Sequence, residues 1–434
     1  MYIAILVAFI IGYLFIAFEH TIKVDKAAVA LLTGTVCWVL FIIGGETLLP
    51  QVIPEDLIHY IPENLREHLG EIAEILFFLL GAMTIVEIID AHEGFSVITD
   101  KINTTNKVKL IWILSVFTFF LSAALDNLTT AIVMSALLKK LISNKKDLWM
   151  FAGVLIIAAN AGGAWSPIGD VTTIMLWIGG QVTASNIIVQ LIIPSMVCLL
   201  VPLIVVSFRF KGNIERPTAL ENGHNNGVRV TNFEKHFVLF FGVGALLFVP
   251  IFKTITHLPP FMGVLFGLSI IWIITEILHR NKPLAHKKSL SIVGVLQKVD
   301  TPSILFFLGI LVAVGSLQSA GHLTDMAKLL DTNLNNIYAV NTIIGMLSSI
   351  VDNVPLVAGA MGMYSMEVYP VDNTFWELLA FCAGTGGSIL IIGSAAGVAI
   401  MGILKIDFIW YLKHISWLAL IGYLSGVLTY ILLV

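Results

Sequence analysis

The sequence predicts an all-α integral membrane protein made of two inverted-topology repeats, each with five transmembrane helices, one of them broken, plus a re-entrant helical hairpin. Three observations lead to this fold class: the hydropathy of the chain, a set of motifs that occurs twice, and the placement of the basic residues. Of the 434 residues, 58% are hydrophobic and only 12% are charged, and the mean hydropathy is +0.94. A soluble domain carries about 25% charged residues, so the chain is predicted to lie in a membrane. Helices are expected because short alternating segments of a barrel are missing.

Unbroken apolar runs mark the simple spans, since crossing about 30 Å of hydrocarbon takes roughly 20 helical residues. The first run lacks a basic segment before it and a small-residue cleavage site after it, so it is predicted to be a transmembrane helix rather than a signal peptide. The candidate runs are Met1 to Phe18, Ala27 to Ile43, Ile72 to Ile89, Ile187 to Phe208, Phe237 to Phe252, Phe261 to Leu278, Ile304 to Ala320 and Phe408 to Val434.

Three motifs recur in the same order at nearly one offset, which indicates an internal repeat. "ILFFLLGAMTIVEIIDA" from Ile75 matches "ILFFLGILVAVGSLQSA" from Ile304, a shift of 229 positions. "LDNLTT" and "VDNVPL" are related by a shift of 226, and "NAGGAWSPIGD" and "GTGGSILIIGS" by a shift of 224. The chain is thus predicted to consist of a first repeat over 1–208, a cytoplasmic linker over 209–233 and a second repeat over 234–434.

Each repeat holds two segments that do not fit simple spans. Hairpins are expected at about 107–141 and 335–365, and helices broken by Gly-rich links at about 149–180 and 375–404. If both Asp-Asn segments are re-entrant tips, nearly every Lys and Arg, including Lys101, falls on one side, and only Arg66, Lys253 and Lys328 fall on the other. Cytoplasmic loops are enriched in basic residues, so this arrangement places both termini outside and inverts the second repeat. The acidic stretch from Pro54 to Glu71 would then form an interfacial helix on the outer face.

Inverted repeats with interrupted helices are typical of secondary transporters, which bind substrate near the midplane of the membrane. The tips and links carry carboxylate, amide and hydroxyl oxygens and lack Lys and Arg, which favours a hard cation over an anion. The candidate ligands are Asp126, Asn127, Thr129, Thr130, Asn160, Ser166, Asp170, Thr172, Thr173, Asp352, Asn353, Thr385, Ser388 and Ser394.

Two other roles are open for these residues. Asp126, Asp170 and Asp352 could be N-caps that satisfy the first amides of half-helices, a role that is compatible with ion binding. The Thr and Ser hydroxyls could bond to their own helices. Near the cytoplasmic end of the third span, Glu87, Asp90 and His92 are either a solvated helix end or a possible proton relay.

The Asp-Asn-Leu-Thr-Thr tip, the link "NAGGAWSPIGDVTTIMLW" and the second tip "VDNVPLVAGAM" resemble the NhaD-type sodium/proton antiporters of the ion transporter superfamily, which also includes arsenite, citrate and dicarboxylate permeases. The resemblance implies exchange of Na⁺ or Li⁺ for H⁺, no cofactor, a homodimer, and a prokaryotic inner (plasma) membrane location. The cation site that it implies comprises Asp126, Asn127, Asn160, Asp170, Asp352 and Asn353.

Departures from the superfamily also bear on the substrate. Dicarboxylate members carry Ser-Asn-Thr at the tips where this chain has Asp-Asn, which argues against a dianionic substrate. Pro355 stands where the first tip has Thr129, so the second half-site offers fewer polar groups.

The leading prediction is a secondary active transporter that exchanges Na⁺ or Li⁺ for H⁺ by alternating access, with both ions competing for Asp126, Asp170 and Asp352. The alternative is a sodium-coupled symporter of citrate, a dicarboxylate or arsenite, and a channel or structural protein is a third class. An enzyme is not expected, because no nucleophile and base occur at a recognisable spacing. Nucleic acid is not an expected partner, because the basic residues follow the cytoplasmic rim; the expected partners are the lipid bilayer and the ions.

Overall fold

The computed structural model describes residues 1–17, 19–49, 52–99, 104–216, 230–280, 290–334 and 336–434, and these are overwhelmingly helical. Within these ranges no strand forms, and the single β-bridge pairs Asn106 with Asn213. Lys101 and the middle of the predicted linker, 217–229, lie outside the described residues. An all-α architecture is therefore confirmed for the described part of the chain.

Helices of the first half begin with an apolar helix at the N-terminus and end with a long span. They are α1 (Tyr2–Ala17), α2 (Glu19–Ile22), α3 (Lys26–Ile43), α4 (Gly45–Leu48), α5 (Leu57–Ala91), α6 (Ser96–Thr99), α7 (Lys107–Ala124), α8 (Asn127–Leu141), α9 (Lys145–Ala164), α10 (Val171–Ile178) and α11 (Ala184–Arg209).

Helices of the second half follow the linker. They are α12 (Asn232–Thr256), α13 (Pro260–Leu278), α14 (Ile292–Leu296), α15 (Thr301–Ser319), α16 (His322–Leu334), α17 (Ile337–Leu347), α18 (Asn353–Met363), α19 (Thr374–Gly386), α20 (Ala395–Leu404), α21 (Phe408–His414) and α22 (Ser416–Leu433).

Among the described residues, nine helices are long and apolar enough to cross a membrane. The number is ten if α20 and α21, which are bent by 118° to each other, are taken as one broken span. The chain is thus a multi-pass membrane protein, as its hydropathy predicts.

The structure corrects two predicted boundaries. The expected interfacial helix between Pro54 and Glu71 is not a separate element, because α5 is one helix of 35 residues that contains Pro62 near its start. At 1.5 Å per residue it is about 52 Å long and extends beyond about 30 Å of hydrocarbon. The expected span from Phe408 to Val434 is interrupted at Ile415, so only α22 has the length of a span.

The helices around the two predicted hairpins pack in matching ways. α7 lies against α9, and α17 lies against α19 in the other half. α8 packs on α20, and α18 packs on α10, so the second helix of each hairpin contacts the second half of the other broken helix. At the centre of the scaffold α3 packs along α15.

Two pairs of contacts show the same match in atomic detail. Ser122 Oγ donates to the carbonyl oxygen of Ala159 at 2.6 Å, and Ser348 Oγ donates to that of Ala383 at 2.8 Å. Gly162 also approaches the backbone of Phe119 so closely that a Cβ would overlap it. Gly386 meets Gly345 in the same way, so α7 and α17 lie directly against α9 and α19.

Candidate cation site

Four helix N-termini lie in the same buried region, and each begins at an N-cap whose side chain accepts from its own first turn. Asp126 accepts from the backbone of Thr129 at 2.7 Å, and Asp170 accepts from that of Thr172 at 3.0 Å. At the other two ends, Asp352 caps α18 and Ser394 caps α20, with donor–acceptor distances of 3.2 and 3.1 Å respectively. The capping role considered from the sequence is therefore present, and it fixes the position of each carboxylate.

Asp170 is the residue on which the two hairpin tips converge. Asn127, from the first tip, donates through Nδ2 to Asp170 Oδ2 at 2.6 Å. Asn353, from the second tip, donates through Nδ2 to both carboxylate oxygens, at 3.3 and 3.4 Å. Thr172 Oγ1 adds a further donor to Oδ1 at 3.0 Å. The side chain of Asp170 is 1% exposed, so these polar hydrogen bonds largely replace its hydration.

Asn160 joins the two halves of the chain from the opposite side of this cluster. Its Nδ2 donates to Ser388 Oγ and to Ser394 Oγ, both at 2.9 Å, and its Oδ1 accepts from Asn127 at 3.2 Å. α9 continues past Asn160 to Ala164, so this side chain projects from within a helix.

Asp126 and Asp352 flank the central carboxylate without bonding to it. Each directly precedes the asparagine of its tip that donates to Asp170. Asp126 accepts from Thr129 Oγ1 at 2.8 Å, and it has φ 146° and ψ 165°, a conformation that mainly glycine adopts and that costs roughly 1–3 kcal/mol. The backbone amide of Asp352 donates to the hydroxyl of Tyr13 at 2.7 Å.

In the described part of the chain, no three His, Cys, Asp or Glu side chains are near enough to hold a metal ion together. A cation shared by Asp126, Asp170 and Asp352 therefore needs amide, hydroxyl or backbone oxygens, or a movement of the tips. Oxygen ligands of this mixed kind suit a hard cation that is bound transiently.

The predicted hydroxyl ligands have different positions. Ser166 donates to the carbonyl oxygen of Ala123, Thr173 to that of Asp170 and Thr385 to that of Phe381. These three hydroxyls thus bond to backbone. Thr130 Oγ1 is buried and makes no hydrogen bond within the described ranges, which leaves it available as a ligand.

Of the predicted relay residues, Glu87 and Asp90 lie on α5 and His92 is its C-cap. Glu87 pairs with Lys298 at 3.5 Å, and Asp90 is exposed. His92 is buried, and its Nε2 lies 3.3 Å from that of His279 on the other half of the chain. Within the described ranges, neither Glu87 nor Asp90 hydrogen-bonds to a tip residue.

A cavity of about 470 Å³ lies at the C-terminal ends of α10 and α18, the two helices that begin at Asp170 and Asp352. α5 and α15 complete its walls, and Glu71 and Glu74 give it acidic groups. At the end of α10, Lys253 donates to the carbonyl oxygen of Trp177 at 2.9 Å. By the predicted orientation this is the outer side, and no comparable cavity was predicted from the sequence.

Tyr13 is a site residue that the sequence did not indicate. Its hydroxyl accepts from an amide 339 positions away in the chain. The only available signal was a tyrosine in the middle of an otherwise apolar first span.

Comparison with known proteins assigns this architecture to a family. The sequence profile of the citrate transporter family matches residues 13–379. Sodium/proton antiporter 1 of Arabidopsis thaliana is 44% identical over 431 residues, which is 99% of this chain and 72% of the relative. The Na⁺/H⁺ antiporter NhaD of Vibrio cholerae is 31% identical over 461 residues, 99% of this chain and 91% of the relative. The chain belongs to the NhaD-type antiporters of the ion transporter superfamily.

Other bacterial NhaD-type relatives match over most of the chain as well. The Na⁺/H⁺ antiporter NhaD of Alkalimonas amylolytica is 29% identical over 449 residues, 96% of this chain and 88% of the relative. These relatives cover 96–99% of this chain, so the similarity extends over both halves. The resemblance inferred from the motifs is therefore confirmed.

Proposed function

We propose that this NhaD-type chain is a secondary active transporter that exchanges Na⁺ for H⁺ across its membrane. The observation that carries the proposal is the buried carboxylate of Asp170, which receives one amide donor from each hairpin tip. Asp126 and Asp352 add negative charge around it. The names of the antiporters to which the chain is similar agree with this reading.

Competition for one set of oxygens would couple the two ions. Burial disfavours the charged form of a carboxyl group, whereas a bound cation favours it. Sodium binding would therefore release a proton, and protonation would release sodium. Exchange follows if the site changes its exposure when either ion is bound but not when it is empty and charged.

For the topology, we propose the two inverted repeats over 1–208 and 234–434, with re-entrant hairpins and both termini outside. The matched hydrogen bonds of Ser122 and Ser348 support the repeat, as does the reciprocal packing of α8 on α20 and of α18 on α10. The hairpins and broken helices would move against the unbroken spans. The cavity at the ends of α10 and α18 would be the outer access route.

The second candidate is sodium-coupled transport of citrate or another anion, which the description of the family profile suggests. Against it, the region between the tips carries three carboxylates that would repel a dianion. Helix N-termini can attract anions, but here all four are capped by side-chain oxygens.

Four finer predictions belong to the same proposal. Li⁺ would replace Na⁺, because both are small hard cations. The protein would be a homodimer, and Glu87, Asp90 and His92 would pass protons towards the site from the cytoplasmic end of α5. A prokaryotic plasma membrane remains a prediction, because the relatives include both plant and bacterial proteins.

Proteoliposomes with an internal pH dye test the proposal. Addition of Na⁺ or Li⁺ outside should make the interior more alkaline, whereas K⁺ and citrate should not. Uptake of labelled citrate that requires Na⁺, without sodium-driven alkalinisation, would support the second candidate instead.

A further inference from the structure

A second cavity lies between α1, α15, α16 and α18, beside the second hairpin tip. It has a volume of about 570 Å³, within the range of about 300–1,000 Å³ typical of ligand sites. Its walls are mainly aliphatic and aromatic side chains, among them Leu6, Ile10 and Leu356. A cavity of this kind in a membrane-embedded protein is accessible to lipid chains.

The depth of the cavity matches one leaflet of a bilayer. It extends along α1 from Tyr2 to Tyr13, which at 1.5 Å per residue is about 16 Å. Half of a hydrocarbon layer of about 30 Å is about 15 Å. One acyl chain can therefore reach from the polar end of the cavity to its deep end.

The polar end carries a buried nitrogen that lacks a partner. His322 is 7% exposed and lines the cavity, and its Nε2 makes no hydrogen bond in the described part of the chain. Its ring stacks on Tyr2 with centroids 3.7 Å apart. When the proton of a neutral imidazole is on Nδ1, Nε2 is an acceptor in need of a donor.

An acidic side chain at the polar end of the cavity favours a positively charged group as the hydrogen-bond donor to His322 Nε2. Asp325 lines the cavity and accepts from the hydroxyl of Tyr2 at 2.7 Å. Burial lowers the pKa of His322, which favours the neutral imidazole beside a cation. A primary ammonium group could donate to His322 Nε2 and remain close to the Asp325 carboxylate. Lys328 lies 3.8 Å from Asp325 and adds a positive charge beside this end of the cavity.

We propose that this cavity binds one phosphatidylethanolamine molecule, with an acyl chain along α1 and the ammonium group at His322 and Asp325. Phosphatidylcholine offers the same chains and phosphate but has no N–H donor. An anionic headgroup without an amine would face Asp325 unfavourably.

The deep end of the cavity connects this lipid to the second hairpin tip. Tyr13, Val351 and Pro355 line that end, and Tyr13 accepts from the backbone amide of Asp352. The acyl chain would therefore pack beside the contact that positions Asp352, and it would support this tip from the lipid side.

A matched pair of glycine variants tests the chain-binding part. Gly359 lines the cavity, and a Cβ there meets only Met363 Cε, at 3.9 Å, so Gly359→Phe would fill the space without a backbone clash. Gly244→Phe is the control, because that position on α12 has nothing within 4 Å of a Cβ and lies away from the cavity. Native mass spectrometry of the purified full chain should show one retained lipid in wild type and in Gly244→Phe. Retention of the lipid by Gly359→Phe should be about tenfold weaker. The loss of burial for two methylene groups of the acyl chain is enough to cause this change.

The headgroup assignment is tested with lipids that differ only in the amine. Wild type incubated with equal amounts of phosphatidylethanolamine and phosphatidylcholine of the same chains should retain the first preferentially. His322→Phe keeps the stacking on Tyr2 but removes the acceptor, so retention of lipid should persist while the preference disappears. Equal retention of the two lipids by wild type would overturn the assignment.

Photocrosslinking tests the proposed lipid site in the wild-type protein, without any substitution. Phosphatidylethanolamine with a diazirine near the end of its acyl chain should crosslink to α1 or α18 peptides around Tyr13 and Pro355. Crosslinks spread evenly over the membrane-facing surface of the protein would contradict the proposal.

Discussion

Asn127 Nδ2 donates to Asp170 Oδ2 at 2.6 Å and lies 3.2 Å from Asn160 Oδ1, so one amide connects the first hairpin tip to both sides of the first broken helix. Asn353 reaches the same carboxylate from the second tip. A change in the charge of Asp170 therefore changes a hydrogen bond to each of the two hairpins, which are the elements expected to move.

The two tip amides are predicted to set cation affinity. Asn127→Ala or Asn353→Ala removes a donor that orients Asp170, and loss of such a supporting partner typically weakens metal binding by about 10–100-fold. The apparent KM for Na⁺ in proteoliposomes should rise by that order. Thr385→Val is the matched control, because the Thr385 hydroxyl bonds only to the backbone of Phe381 among the described residues. An unchanged KM in both Asn variants would exclude the amides from the site.

Asparagine substitutions separate the capping role from the ionic role of the tip carboxylates. Asn is as good an N-cap as Asp, so Asp126→Asn and Asp352→Asn should keep the helix starts and the melting temperature. Sodium-dependent proton movement should nevertheless be lost, because the negative charge is gone. Wild-type exchange rates in both variants would show that these residues serve only as caps.

Because each hairpin closely approaches a broken helix, replacing the glycine at either contact is predicted to destabilise the protein to a similar extent. Gly162→Ala and Gly386→Ala force a methyl group into the backbone of Phe119 and of Gly345, and overpacking of this kind typically costs about 1–3 kcal/mol. Both variants should melt at lower temperature in detergent, by several degrees. Gly244→Ala should not, since open space surrounds that position. A loss confined to one repeat would argue against equivalent hairpins.

The cavity at the end of α10 predicts which side of the membrane reaches the site. Met361 lines it, so Met361→Cys should react with a membrane-impermeant thiol reagent added outside. The background should be low, because Cys37, Cys198 and Cys382 are all buried. Leu137→Cys on the buried face of α8 is the control and should stay unlabelled from that side. Labelling of Met361→Cys only from the cytoplasm would reverse the proposed orientation.

The sequence was sufficient to locate the tips, since a carboxylate in an apolar run has few explanations. Asp126 and Asp352 were found in this way, and both are N-caps, a role that the sequence left open. It could not reveal that Asp170 receives both amides, because those contacts join segments up to 183 positions apart.

Hydroxyl groups were the least predictable part of the site. Thr385 and Ser388 are three residues apart in the same Gly-rich segment, yet Thr385 bonds to its own helix and Ser388 accepts from Asn160. The difference depends on side-chain rotamers and on where α19 ends, neither of which follows from residue type. Tyr13 was missed for a related reason, because its partner belongs to the other half of the chain.

The central claim is that Na⁺ and H⁺ compete for Asp170, and proton release on sodium binding tests it most directly. Purified protein in weakly buffered detergent solution is titrated with NaCl, with choline chloride as the control, while the pH is recorded. Wild type should release protons in proportion to bound Na⁺, and Asp170→Asn should release none while keeping its melting temperature. Equal proton release by Asp170→Asn and wild type would contradict the account.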